Sequence, residues 1–435
     1  MKIHNDSQCG WLNNSLKRNH SNSLTENDKC DYLVVGAGYT GLSAARKLSE
    51  IDKNKKIIIV DAQLAGEGAS ARNSGYLVDN TLNDGFTSNT DFEIYKKKIK
   101  IYELGIKAVK NYIKQYQVDC DWNECGKFFA SSDATDENKA YSFSKLLSNL
   151  GFENKLIYKK EFEKKLGTSF YNVGIYTNGG ILLNPGKLAL SMVDTLPGNV
   201  KLYENTQLKN WKKINNKINC NFLNNKQIIT EKIIFCTNGF FRSLNIKKNY
   251  SFPITLTASM TRQLKTKEFD QMGSLKEWGV LPIKPMGATI RLTKDKRILI
   301  RNTAEFKNPF KMKDEILSIR SKFHLKGLKK RYPFLADDII EKTWSGVVCR
   351  SRNGSQIFEK IDKNIFVAGC YNGSGIGVGT LFGEQIAMLA SNQSTDEIGH
   401  IDQRKKPNLL PPEPFLRLGI YSRLAYERVK ANSET

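Results

Sequence analysis

The sequence predicts an α/β fold, with a Rossmann-like domain joined to a second domain built on a mixed sheet. Three observations predict it. Cys30–Asp61 reads as a whole strand–turn–helix–strand unit with G-x-G-x-x-G at its first turn. Residues 369–387, GCYNGSGIGVGTLFGEQIA, form a second glycine-rich strand-to-helix turn. Between these two stretches, residues 250–330 alternate in the manner of strands.

The first unit is specific. Tyr32–Val35 and Ile57–Val60 are apolar runs of buried-strand type, and Leu42, Ala44, Ala45 and Leu48 between them follow helical spacing. Gly36 makes the tight turn out of the strand. Gly38 leaves room for a pyrophosphate beside the backbone, and Gly41 lets helix and sheet pack closely. The helix N-terminus offers N–H groups and a positive dipole end to that anion. Asp61 stands 61 − 36 = 25 positions after the first glycine, where an acid accepts hydrogen bonds from a ribose. Its carboxylate disfavours a 2′-phosphate, so NADP is not expected.

Composition bounds the rest. The chain has 435 residues, 40% hydrophobic and 26% charged, which suits two or three globular domains. No apolar run approaches the roughly 18 residues of a membrane span. Residues 1–28 are polar and lack a secretory h-region, and are expected to form an extension resting loosely on the body. His4, His20 and Cys9 within it have no metal-ligand spacing, and no metal is expected. The net charge of +23 comes from lysines dispersed among Asn and Ile rather than clustered, so no nucleic-acid partner is expected. The eight cysteines form no C-x-x-C and are expected to be reduced thiols in a cytoplasmic protein.

Directly after Asp61, residues 62–77 read AQLAGEGASARNSGYL. Small residues let backbone approach a planar or charged ligand, and Arg72 can pair with phosphate or carboxylate. Taken together, GAGYTGLSAARKL and VDAQLAGEGASARNSG resemble the FAD-dependent amine and amino-acid oxidase family related to D-amino-acid oxidase, glycine oxidase and sarcosine oxidase. The gamma-glutamylputrescine oxidase-like branch is the part of that family they resemble most. The resemblance implies that Gly68, Ala69, Ser70, Arg72, Asn73 and Gly75 lie near the flavin ring and pyrophosphate. It also implies that Gly373, Ser374, Gly375, Ile376 and Thr380 lie against the flavin pyrimidine and ribityl chain.

The intervening chain carries fewer signals. Residues 91–150 show an apolar face over a lysine-rich one, with a strand and a turn at Gly126 inside them, and suit a cap. A helix is expected after Asn184-Pro185, with proline in its first turn. Val200–Tyr203, Gln207–Trp211 and Lys232–Cys236 read as strands, the last ending in Thr237-Asn238-Gly239. Ile290–Thr293 and Arg297–Arg301 flank Lys294-Asp295-Lys296 as a hairpin. On the family's pattern these strands build the substrate floor, and Arg291, Arg301 and Trp344 are the substrate candidates, the arginines holding a carboxylate in bidentate fashion. Ile298–Ile300 stand where some relatives carry a lysine that promotes reaction with oxygen. In the tail, Leu416, Ile420 and Leu424 form a basic amphipathic helix, expected to pack on the body in preference to peripheral membrane contact.

The resemblance spans roughly residues 29–391 and implies a discontinuous FAD-binding domain, 29–90, 181–245 and 340–405. A substrate domain, 91–180 and 246–339, and a tail helix within 406–435 complete the expected layout. FAD is expected to be non-covalent. Cys349 is the cysteine considered for attachment, but it does not fall in register with the attachment site of covalent relatives. The implied activity is oxidation of a C–N bond in an amine or amino acid. Hydride passes to flavin, the imine hydrolyses, and oxygen is reduced to hydrogen peroxide. Two alternatives stand beside it: a dehydrogenase serving a quinone or protein acceptor, and a flavin-dependent tRNA-modification module. No Ser/His/Asp set is required, and the four histidines offer no obvious base.

Overall fold

The computed structural model describes residues 6, 9–12, 22–82, 92–306, 312–431 and 434. Strand Asp28–Val35 lies at the centre of the first sheet, parallel to Ile57–Val60 on one side and to Gln227–Phe235 on the other. Val200–Tyr203 extends the sheet beyond Ile57–Val60, and Ile365–Gly369 extends it beyond Gln227–Phe235. Ile357–Asp362 closes the far edge antiparallel, and the hairpin Leu208–Ile214/Lys217–Phe222 joins through Gln227–Phe235.

The uninterrupted apolar runs are explained by burial on both faces. Val34, Ile57, Ile59, Ile234 and Phe366 point into one core, while Leu33, Val35, Ile58, Val60 and Phe235 point into another. Helices Tyr39–Ile51 and Gly375–Ala390 pack in the first of these cores. Helix Phe92–Tyr116 joins them, with Gly105 against Gly377 so closely that a Cβ on Gly105 would meet the Gly377 carbonyl carbon at 2.6 Å.

The second sheet is mixed and has eight strands. Its order is Ile340–Arg350, Phe252–Thr261, Ile298–Glu305, Thr289–Leu292, Trp278–Pro282, Lys127–Ser131, Val173–Thr177, Asn154–Tyr158. All neighbours are antiparallel except Trp278–Pro282 with Lys127–Ser131. Helix Asp314–Arg331 covers one face, where Ser259 Oγ meets His324 Nδ1 at 2.7 Å. Ile254, Leu256 and Ala258 look out from the opposite face, towards the first sheet.

The expected domain division moves at two places. Helix Phe92–Tyr116, assigned from sequence to the substrate domain, buries its apolar stripe against the nucleotide-side helices. Strand Ile340–Arg350, assigned to the FAD domain, pairs along its length with Phe252–Thr261 in the substrate sheet. Both shifts follow from where apolar area is buried, which chain order does not reveal. Cys9, Trp11 and Leu12 of the N-terminal extension are buried in the main core, a tighter docking than expected. The tail helix Phe415–Ala431 packs on the body through Leu416, Ile420 and Ala431. All eight cysteines are unpaired, and seven are buried. Among the described residues, no helix is long and apolar enough to cross a membrane.

Candidate cofactor and substrate site

A cavity of about 1700 Å3 runs between the two sheets. That exceeds the roughly 300–1,000 Å3 of an ordinary small-molecule pocket and leaves room for an extended dinucleotide with a substrate beside it. Gly36, Gly38 and Asp61 line one end. Gly36 sits at φ +103°, a conformation an L side chain rarely adopts. A Cβ on Gly41 would lie 1.8 Å from the Gly36 carbonyl oxygen, so Gly41 acts through packing and not from the cavity wall. Asp61 Oδ2 accepts from the Ala37 N–H at 2.7 Å and Oδ1 from the Gln63 N–H at 2.9 Å, which fixes the carboxylate at the end of its strand.

Gly68, Ala69, Ser70, Arg72 and Asn73 line the middle. Ser70 Oγ accepts from the Tyr39 N–H at 3.0 Å, and Asn73 binds its own loop through Ser70 O (2.6 Å) and the Gly75 N–H (2.8 Å). These two side chains shape the loop so that its backbone faces the cavity. Gly75 is off the wall, at φ +72°, packed against the Leu183 carbonyl. Arg72 is buried, donates Nε to Ser345 O at 2.6 Å and pairs with the Asp6 carboxylate. Its charge is therefore met by an acid of this chain's own N-terminal segment, not kept for a phosphate. Asp6 was not identified from the sequence, because nothing local marks it and only tertiary packing brings it here.

The third glycine-rich turn brings Gly373, Ser374, Gly375 and Ile376 to the cavity. Thr380 does not reach it. One turn further along, its hydroxyl donates to Ile376 O at 2.8 Å inside the helix. Helices Tyr39–Ile51 and Gly375–Ala390 both begin at this cavity, and neither has an acidic residue in its first turn or a side-chain cap. Two positive helix ends without an acid or a capping side chain at the N-cap, one of them met only by Ser70 Oγ at the Tyr39 N–H, suit an anionic ligand. Thr237 on the same wall has a buried hydroxyl with no hydrogen-bond partner among the described residues. Its neighbour Asn238 accepts from the Cys370 N–H at 2.9 Å, tying two of the turns together. The glycine cradle, the acid-free helix ends and the orphaned hydroxyl together fit a bound dinucleotide.

The substrate candidates separate. Arg291 is not on the cavity wall. It is buried, donates Nη1 to Leu183 O, Gly75 O and Ser74 O at 2.8, 3.1 and 3.3 Å, and stacks over Trp11. It clamps the backbone between the two sheets, and a substrate carboxylate has no access to it. Trp344 lines the cavity but is anchored, its indole N–H donating to Arg72 O at 3.1 Å. Arg301 faces the cavity and donates to Thr289 Oγ1 at 2.5 Å, and no carboxylate pairs with it among the described residues. Burial and the neighbouring Arg350 cation hold its pKa down to about 10, so it stays charged at neutral pH.

Two further groups on this floor were missed from sequence. Asn302, at the bulge beside Arg301, lines the cavity with both amide atoms buried and unpartnered among the described residues. Arg350 also lines it, held through Asn372 O at 2.7 Å. Only the bulge turns Asn302 inward, and strand alternation would have placed it on the other face. His324 lies beneath the sheet on the helix side, its pKa pushed down to about 3 by burial, and is no base for this site.

Comparison with known proteins follows the same lines. Gamma-glutamylputrescine oxidoreductase of Escherichia coli is 25% identical over 381 residues, covering 84% of this chain and 85% of that protein. Glycine oxidase from Geobacillus kaustophilus superposes with a TM-score of 0.71 at 15% identity, over 85% of this chain and 96% of that one. An L-alpha-glycerophosphate oxidase from Mycoplasma pneumoniae with FAD bound gives 0.66 at 16% identity, over 88% and 97%. Residues 31–389 match the family described as FAD dependent oxidoreductase, a span that holds all three glycine-rich turns and the substrate floor, and the chain belongs to that family.

Proposed function

We propose that this FAD-dependent oxidoreductase oxidises the C–N bond of an amine that carries a carboxylate, with FAD held non-covalently along the cavity. The observation that carries the reading is Arg301, a cation on the cavity wall with no carboxylate partner among the described residues. A guanidinium in such a place is costly unless an anion completes it, and a substrate carboxylate supplies one. Asn302 adds an amide whose donor and acceptor are both unused among the described residues. FAD, when bound, takes up the hydride equivalent released from the substrate's α-carbon.

The protein's share is placement and protonation. Arg301 and Asn302 fix the anionic end of the substrate. Ile254, Leu256 and Ala258 line the floor beside them and exclude water. An amine in this apolar cavity, close to the Arg301 cation, is held below its solution pKa and so reaches the neutral form that hydride loss requires. No protein base is invoked. Two of the three compared proteins are named oxidases, which supports oxygen as acceptor and hydrogen peroxide as product.

The test is anaerobic bleaching of the purified yellow protein by a panel of amines matched with and without a carboxylate. Carboxylate-bearing amines should bleach it and the matched simple amines should not. Equal bleaching by both sets, or no flavin in the purified protein, would sink the reading. Turnover with oxygen compared with an artificial dye separates an oxidase from a dehydrogenase serving a quinone or protein.

A further inference from the structure

Helix Phe415–Ala431 has two apolar faces, and the body uses only one. Leu416, Ile420 and Ala431 are buried against the substrate domain, with Leu424 half-buried beside them. The opposite face carries Phe415, Leu418, Tyr426 and Val429 at i, i+3, i+11 and i+14, which is one stripe on a helix of 3.6 residues per turn. Their exposures are 65%, 60%, 54% and 79%, and Tyr421 on the stripe's border is 52% exposed. Of the fifteen large hydrophobic side chains exposed among the described residues, six lie between Leu409 and Val429. A patch this concentrated marks a surface that meets something apolar.

The charges around the stripe say what it meets. Arg417 and Arg428 border it on one side and Arg423 and Lys430 on the other, all exposed, Arg428 also donating to Ala304 O of the body at 3.1 Å. The helix carries these four cations against one acid, Glu427, which is buried and paired with Arg423. The charged heads of Lys430 and Arg423 lie over the Tyr426 ring at 5.5 and 5.7 Å, which sets cationic groups directly against an exposed aromatic of the stripe. An apolar centre with aromatic residues and cations on both borders complements an anionic lipid surface. A second copy of this chain fits less well. A two-fold contact through the stripe would set each border of cations against its own equivalent.

We infer that the outer face of this helix is a membrane-surface site for anionic lipid, lying in the interface with its stripe among the acyl chains. The same helix lines the cavity through Leu416, Ile420 and Leu424, and Phe415 and Tyr421 at the stripe's start and border also reach the cavity's rim, whereas Leu418, Tyr426 and Val429 do not. The docked protein would therefore hold its substrate cavity against the bilayer. This inference is independent of the substrate proposed above.

The test uses the full-length FAD-bound protein and sedimentation with vesicles of phosphatidylcholine alone or mixed with phosphatidylglycerol. Binding to the mixed vesicles should fall steeply as salt is raised, and phosphatidylcholine alone should bind little. Leu418→Glu with Val429→Glu should weaken partition by roughly tenfold or more, and Lys430→Glu by less. Both substituted side chains of the double variant point outward and off the cavity wall, so flavin content and turnover with a soluble acceptor should be unchanged. The inference fails if the wild type ignores anionic vesicles. It fails equally if the double variant binds them as well as wild type does, or if light scattering shows a concentration-dependent dimer that the double variant abolishes.

Discussion

Arg301→Gln separates a substrate-holding arginine from a structural one, because the two roles predict opposite effects on stability. Burial beside Arg350 lowers the Arg301 pKa from 12.5 to about 10. At 1.36 kcal/mol per unit, the charge costs the empty folded protein up to about 3 kcal/mol. The sign is that of a base with a depressed pKa. The cost is present at all pH values below about 10 and vanishes as pH rises through 10 towards 12.5. Glutamine removes the charge and retains an amide near Thr289, so about 1 kcal/mol of the gain is returned with the altered hydrogen bond. The ligand-free variant should therefore melt no lower than wild type and up to several degrees higher. A charge-assisted pair with a substrate carboxylate contributes about 1.5–3 kcal/mol, so KM for a carboxylate-bearing amine should rise roughly 10- to 150-fold. The change in kcat should be much smaller, because the contact is made in ground and transition state alike. Thermal melting with and without substrate, together with initial-rate kinetics, reads both effects. An arginine that serves only the fold would give a lower melting temperature and an unchanged KM, and that pattern refutes the reasoning.

The other predictions concern the cofactor turn, the N-terminal segment and pH. Gly41→Ala places a methyl group 1.8 Å from the Gly36 carbonyl oxygen and should yield colourless or insoluble protein, whereas Gly399→Ala, which meets nothing within 4 Å and lies off the cavity wall, should keep its flavin absorbance. Asp6→Asn takes away the carboxylate with which buried Arg72 is paired and should destabilise by about 3 kcal/mol in denaturant titration, with Arg72→Met restoring part of the loss. Glu384 has its pKa raised from 4.5 to about 7 by burial, so its ionisation opposes folding. Wild-type stability should fall as pH rises from 4.5 through 7, by about 3 kcal/mol for this group, and Glu384→Gln should remove that slope in melts across the range. Acid precipitation should leave the yellow colour in the supernatant, and a yellow pellet would show covalent attachment.

Much of the cofactor half was legible because its signals are local. A glycine needed for a turn or a close approach is needed within a few residues of its neighbours in sequence. Gly36, Gly38 and Gly41 are thus readable together with their strand and helix from residue order alone. The same holds for the turn at Gly373–Gly375 and for the hairpin that carries Arg301. Strand limits moved by a few residues, since pairing partners extend Lys232–Cys236 back to Gln227 and carry Phe252–Thr261 alongside Ile340–Arg350.

What packing alone decides was not legible. Arg291 and Arg301 lie on neighbouring strands of one hairpin and looked equivalent, yet one is spent on three backbone carbonyls and the other opens onto the cavity. Thr380 belonged to the right segment, but helical rotation turns it inward. Asp6 and Asn302 carry no motif: one arrives from a distant segment and the other is turned by a bulge. The sequence by itself determined the dinucleotide turn, the family and the order of the elements, because each rests on backbone conformations that neighbouring residues dictate. The tertiary structure decided which charged side chains reach the cavity, because a buried charge is set by its partners, and those partners lie up to hundreds of residues away.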